Sequence, residues 1–138
     1  MATDATAEAV PDAYDDLLAH YRRIVGIRDA GQLLGWDQQV TMPPGGNPAR
    51  SLQLSALSVV QHDLLTDGDV GDWLSDLDDA ELDPERAAAV REIEREYERA
   101  DRVPRSLVEA ISETTSDALP VWEEAKAEDD WDAFAPHV

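Results

Sequence analysis

The sequence predicts an all-α fold of antiparallel helices joined by short connections. Three observations carry that reading. Apolar residues recur at steps of three and four from Tyr14 onward, the spacing of one buried helix face. No stretch alternates apolar and polar residues as a half-buried strand would. Proline, glycine and Asn/Asp residues gather between the periodic segments, where helices must start and stop.

Residues 1–10 read as a flexible acidic leader with no apolar stretch of the kind a signal peptide needs, and residues 11–138 as the helical region. The first helix follows Pro11, with Tyr14, Leu17, Leu18, Tyr21, Ile24 and Val25 on its apolar face, continuing past Ile27 to Leu33 and Leu34. Gly26, Gly31 and Gly35 lower its propensity and suggest close approach by another element. It ends near Val40, because Pro43 and Pro44 lack amide donors and push the residues before them out of helical geometry. Asn47-Pro48 then reads as a cap followed by the first residue of a second helix, with Leu52, Ala56, Leu57, Val59, Val60 and Leu64 as its stripe.

A short helix follows, capped by Asp69 and burying Val70, Trp73, Leu74 and Leu77. Asp83-Pro84 opens the fourth, with Ala87, Val90, Ile93, Tyr97 and Ala100 inward. On its wet side Glu92/Arg95, Glu96/Arg99 and Glu98/Arg102 are spaced for ion pairs. Val103-Pro104 breaks that helix and starts a fifth, kinked at Pro120. Trp131 and Phe134 begin one more apolar pattern that stops at Val138, as in a piece of something longer.

At 138 residues the chain fits one domain, and its 43% hydrophobic content supports a core. Charge is the outlier: 11 Lys+Arg against 31 Asp+Glu give a net charge of −20, and Lys126 is the single lysine. Such a field repels phosphate backbones and anionic lipid, so neither nucleic acid nor a membrane is expected as a partner. The acids are spread from Asp4 to Asp132 rather than massed in a tail, which favours a surface adapted to high salt and a halophilic source. No cysteine is present, which excludes disulfides and thiolate metal sites. No apolar run approaches membrane-spanning length, and a cytoplasmic location is expected.

A search for chemistry returns little. His20, His62 and His137 are scattered, with no His-Glu-x-x-His, so each reads as a surface or boundary residue. Asp67–Asp78 departs from a calcium loop at Gly71, at Asp72 where glycine is required, and at Asp78 where glutamate is required. Gly45-Gly46 has no following Gly-Lys-Ser/Thr, and no serine lies in a nucleophile elbow. The tryptophans at 36, 73, 122 and 131 fall on or beside apolar stripes and read as core.

The least generic run is Trp36-Asp37-Gln38-Gln39-Val40-Thr41-Met42-Pro43-Pro44-Gly45-Gly46, followed by Ala49-Arg50 and Gln53-Leu54. It resembles the amino-terminal region of the Taq-type thermostable metallocarboxypeptidases, which carry a Trp-Asp, a Met-Pro, a Gly-rich bend and an arginine opening the next helix. Pro104-Arg105-Ser106-Leu107, Trp122–Lys126 and Trp131–Pro136 look like the family's following helices in the same order. The resemblance implies the N-terminal part of a larger helical metallopeptidase that releases carboxyl-terminal residues from peptides. It also implies a divalent metal, zinc or cobalt, held by a His-Glu-x-x-His helix and a later glutamate. None of those residues is in this sequence, so no catalytic or metal-binding role transfers, and the segment is expected to bind no cofactor and to be silent by itself.

The bend residues Trp36, Asp37, Met42, Pro43, Gly45, Gly46 and Arg50 are the candidate site. The structural reading has Trp36 plugging a helix interface, Asp37 bonding the turn or pairing with Arg50, and Met42-Pro43 shaping the bend. The functional reading has the bend bordering the substrate cleft or hinging on Gly45-Gly46. Peptide substrate is expected only in the complete enzyme, and homodimer formation or self-association is expected because the family is commonly dimeric. The alternative is a stand-alone acidic helical interaction module without catalysis.

Overall fold

In the computed structural model, which describes residues 12–138, the chain forms six α-helices, and no strand occurs among the described residues. They are α1 (Asp12–Val40), α2 (Asn47–Leu65), α3 (Gly68–Leu77), α4 (Pro84–Asp101), α5 (Arg105–Glu128) and the single turn α6 (Trp131–Phe134). The acidic leader expected at residues 1–10 lies outside the described residues.

Helix α2 is the middle of the structure, packing against both α1 and α5, while α3 and α4 close over the first half of α1. The tight core is therefore off-centre. Leu17 from α1, Val70, Leu74 and Leu77 from α3, and Ile93 from α4 make one buried cluster, with Tyr14, Tyr21, Trp73 and Tyr97 packed against it. Gly71 lets α3 and α4 approach: a Cβ there would stand 2.8 Å from the Tyr97 hydroxyl. Gly26, Gly31 and Gly35, where the sequence suggests close approach, have no neighbour within 4 Å of an added Cβ.

The buried face of α2 differs from its apolar stripe. Ser51, Ser55 and Val59, at i, i+4 and i+8, are inside, whereas Leu52 is 69% exposed. Small side chains are what the middle helix needs to lie close to two neighbours at once, and the larger ones are displaced to open faces. The Ser58 and Ser112 hydroxyls meet across α2 and α5 at 3.2 Å.

Caps follow local chemistry with two shifts. Asp83 caps α4 as expected, accepting from the Glu85 and Arg86 amides at 3.0 Å. Helix α3 is capped by Asp67, whose carboxylate accepts from the Asp69 amide at 3.2 Å, rather than by Asp69 itself. Asn47 is not a cap: the preceding turn Pro44–Gly46 is a 3₁₀ helix running directly into α2, so Asn47 is already helical. Its side chain instead accepts from Gln38 Nε2 at 3.3 Å. Helix α5 continues unbroken through Pro120 and ends at Asp129, whose φ of 56° is left-handed. The Asp130 amide then returns to the Ala125 carbonyl at 2.8 Å, which closes the helix end.

Polar staples join the helices. Arg28 donates to Glu96 at 2.6 Å, tying α1 to α4 and taking Glu96 away from its expected partner Arg99. Tyr21, beneath that guanidinium, has its hydroxyl pKa raised by burial and by the hydrogen bond with Glu96. The pairs Glu92/Arg95 and Glu98/Arg102 form as expected, at 3.1 and 3.4 Å. His20 Nε2 bonds the Leu64 carbonyl at 2.8 Å, and His62 Nε2 bonds the Val103 carbonyl at 2.7 Å and that of Ala100 at 3.2 Å. A carbonyl only accepts, so in each histidine Nε2 carries the proton.

The expectation that every tryptophan is core needs correction. Trp73 packs on the core, but Trp36 is 56% and Trp131 60% exposed, and Trp122 is also exposed. Trp122 and Trp131 still meet the Phe134 ring, at 5.1 and 6.0 Å between centroids. Truncating Leu17 to alanine, at the centre of the closed cluster, should cost about 2–5 kcal/mol in urea unfolding. Leu52→Ala, on an open face, should cost less than about 0.5 kcal/mol in the same measurement.

Candidate functional site

The bend between α1 and α2 is built from hydrogen bonds that terminate one helix and start the next. The Thr41 and Met42 amides both donate to the Asp37 carbonyl, at 3.0 and 2.9 Å, which turns the chain out of α1. Pro43 is extended, with φ −67° and ψ 149°, and the Gly46 amide donates back to its carbonyl at 2.9 Å. The Met42 side chain lies over Gly46, where a Cβ would come within 2.9 Å of Met42 Cγ. Gly45 is exposed and has open space around it.

Arg50 holds this corner. Its Nη2 donates to Asp37 Oδ2 at 2.6 Å, its Nη1 donates to the Leu34 carbonyl, and its Nε donates to Gln53 Oε1 at 3.1 Å. The other Asp37 oxygen accepts from the Thr41 hydroxyl. The guanidinium side chain is only 11% exposed, against 36% for Asp37.

Helix electrostatics explain why this pair is placed here. Asp37 sits near the carboxyl end of α1 and Arg50 in the first turn of α2, each charge at the less favourable pole of its own helix. Folding the corner brings Arg50 to the end of α1, whose last turn holds no basic residue of its own. The Thr41 hydroxyl, and secondly Arg50, hold the Asp37 carboxyl below its ordinary range against a smaller opposing effect of burial.

Of the seven candidate residues, the structure brings Asp37, Met42, Pro43, Gly46 and Arg50 together in one corner. Trp36 does not plug a helix interface: it is 56% exposed, on the same side of α1 as exposed Leu33 and Val40. Trp36 and Asp37 are consecutive and stand about 100° apart around α1, so the carboxylate reaches Arg50 while the indole stays exposed. The Leu34 carbonyl, Thr41 and the Gln38–Asn47 bond belong to the corner but carry no sequence motif; only the i, i+4 spacing of Asp37 and Thr41 hints at one of them. Every polar terminus of Asp37 and Arg50 is engaged within the chain, which is the arrangement of a structural clasp.

Beside the bend, Gln38, Gln39, Met42, Asn47, Glu123 and Glu124 border a notch of about 380 Å³. No group of three or more His, Asp or Glu side chains is placed to hold a metal among the described residues. No helix among them is long and apolar enough to cross a membrane.

Residues 16–138 match the family described as carboxypeptidase Taq (M32) metallopeptidase. The chain is 35% identical over 130 residues to thermostable carboxypeptidase 1 of Thermus thermophilus, a match covering 91% of this chain and 26% of the relative. It is 39% identical over 121 residues to thermostable carboxypeptidase 1 of Pyrococcus furiosus, covering 87% and 24%. Among solved structures, Pyrococcus furiosus carboxypeptidase superposes with a TM-score of 0.73 at 36% identity, covering 94% of this chain and 26% of that one. The crystal structure of BsuCP gives a TM-score of 0.84 at 24% identity over 92% of this chain and 26% of that one, a likeness of fold. The chain thus spans about a quarter of the length of the relatives it matches.

Replacing Arg50 with alanine should lower unfolding free energy by about 1–3 kcal/mol, because the Leu34 carbonyl and Asp37 lose a charged donor together. Lysine should recover only part of that, since a point charge cannot serve three acceptors at fixed angles. The lowered pKa of Asp37 also fixes a sign. Its stabilising effect is complete above the ordinary aspartate pKa of about 4 and is lost as pH falls through the lower, folded value. Wild-type stability minus that of Asp37→Asn, followed by urea unfolding, should therefore shrink on acidification and stay constant from pH 5 to 8.

Proposed function

The chain belongs to the carboxypeptidase Taq (M32) metallopeptidase family, and on that premise we propose that it is the amino-terminal helical part of a metal-dependent carboxypeptidase releasing carboxyl-terminal residues from peptides. The observation that carries the reading is the family match over residues 16–138, which contains the whole Trp36–Arg50 corner. The relatives at 35% and 39% identity bear the name thermostable carboxypeptidase, which supports the same reaction class for the complete protein.

Within that enzyme this stretch is scaffold, silent in catalysis. The described residues do not fit a metal: three histidines are dispersed, and two of them are spent on backbone carbonyls of neighbouring helices. The divalent ion of the family, zinc or cobalt on this reading, and the groups that activate water belong to the other three-quarters of the enzyme. The corner contributes by fixing the angle between α1 and α2, since the groups of Asp37 and Arg50 are committed to each other and to backbone. The net charge of −20, spread along the chain, supports a surface adapted to concentrated salt.

Two measurements test the proposal together. The 138-residue chain with added zinc or cobalt should release no carboxyl-terminal residue from a peptide. A chimera in which it replaces the matching quarter of the Pyrococcus furiosus carboxypeptidase should hydrolyse that peptide. Activity of the isolated chain, or a folded chimera without activity, contradicts the reading.

A further inference from the structure

Helix α2 is flanked by α1 and α5, and past the closed core this layer is open among the described residues on the side of α1 that continues from Leu17, since Arg28 stands eleven residues on from Leu17. At one end Ile27, Leu54, Leu57, Val108 and Ile111 border an apolar trough of about 550 Å³. At the other end lies the polar notch of about 380 Å³ that holds Glu123 and Glu124. The two are one groove. Ile27, Arg28 and Gly31 of the trough are followed eleven residues later by Gln38, Gln39 and Met42 of the notch. On α5 the same interval relates Val108 to Leu119 and Ser112 to Glu123. Eleven residues are three helical turns to within about 20°, so both recesses lie on the same faces of α1 and α5, about 16 Å apart along the axis.

Such a groove has the width of a helix, because its floor is a helix and its walls are helices on either side. Its lining is graded, apolar at one end and anionic at the other. Arg28, at the apolar end, is already paired with Glu96, whereas neither Glu123 nor Glu124 is in an ion pair among the described residues. Among the residues that border it, Ile111 is itself 55% exposed.

We propose that this groove receives one amphipathic helix from the remaining three-quarters of the carboxypeptidase, apolar over Leu57 and Ile111 and carrying lysine or arginine over Glu123 and Glu124. The inference rests on the reading of the chain as part of an M32 enzyme. Charge selects this occupant over a second copy of the chain, which would bring another net charge of −20 toward an already anionic notch. A helix of about 15 residues spans the groove from Ile27 to Met42. Laying it there converts the open layer into a four-helix arrangement with a closed core.

The full-length chimera with the Pyrococcus furiosus carboxypeptidase provides the test. Amide exchange over residues 54–61 and 108–116 should be at least about tenfold slower in the chimera than in the 138-residue chain. Ile111→Asp, and separately the pair Glu123→Lys with Glu124→Lys, should lower the Tm of the chimera while leaving helicity and Tm of the isolated chain unchanged. An active chimera whose groove exchanges as fast as the isolated chain, with both variants neutral, overturns the groove and leaves the enzyme reading intact. Concentration-dependent protection of the same segments in the isolated chain assigns the groove to a second copy and also overturns it. A chimera that neither folds cooperatively nor hydrolyses peptide overturns the enzyme reading and this inference with it.

Discussion

The contact on which the rest depends is the reach of Arg50 back across the bend. Two helices joined by a Pro-Pro-Gly-Gly link could meet at many angles, since the link itself makes few bonds. One guanidinium removes that freedom by donating to Asp37, to the Leu34 carbonyl and to Gln53. The planar fork is suited to this, because its donors have fixed relative directions. With α1 and α2 set antiparallel, α5 has a defined groove in which to pack, and the serine face of α2 meets both partners.

From that corner the structure divides into two regimes of packing. Near the start of α1, helices α3 and α4 seal Leu17, Val70, Leu74, Leu77 and Ile93 away from water. Toward the end of α1 nothing comparable among the described residues covers the layer, and Leu33, Trp36, Val40 and Ile111 are exposed. Burial stabilises in proportion to apolar area, so the closed half carries most of the hydrophobic stabilisation and the open half holds most of what is still available. The aromatic group at the far end of α5 follows the same pattern: Phe134 packs against Trp122 at 5.1 Å and Trp131 at 6.0 Å, while both indoles stay exposed.

Charge acts on a different scale from packing. With 31 acidic residues against 11 basic ones, arginines are scarce, and three of them pair across helices. Arg28 ties α1 to α4, Arg50 ties α2 to α1, and Arg105 ties α5 to Asp63 of α2 at 3.1 Å. An arginine placed between two helices offsets acidic repulsion and sets a geometry at once, whereas exposed pairs along α4 contribute only a few tenths of a kcal/mol. That is why Glu96 points to Arg28 rather than to Arg99 one turn away.

The helices, their order, most of their ends and the membership of the bend were legible in residue types and spacing, because caps, prolines and three-to-four periodicity act through nearest neighbours. Asp83-Pro84 predicts its helix start, and Asp37 with Arg50 announces a pairing across the bend. Tertiary structure alone decided which apolar faces were sealed. Leu52 and Trp36 sit on stripes that look like core, yet burial depends on which helix lies opposite, and small Ser51 and Ser55 win the inner face of α2 because only they let two helices close on it. The glycines show the same limit. Gly71 meets Tyr97 and Gly31 meets nothing, a difference that belongs to the neighbouring helix and not to the glycine.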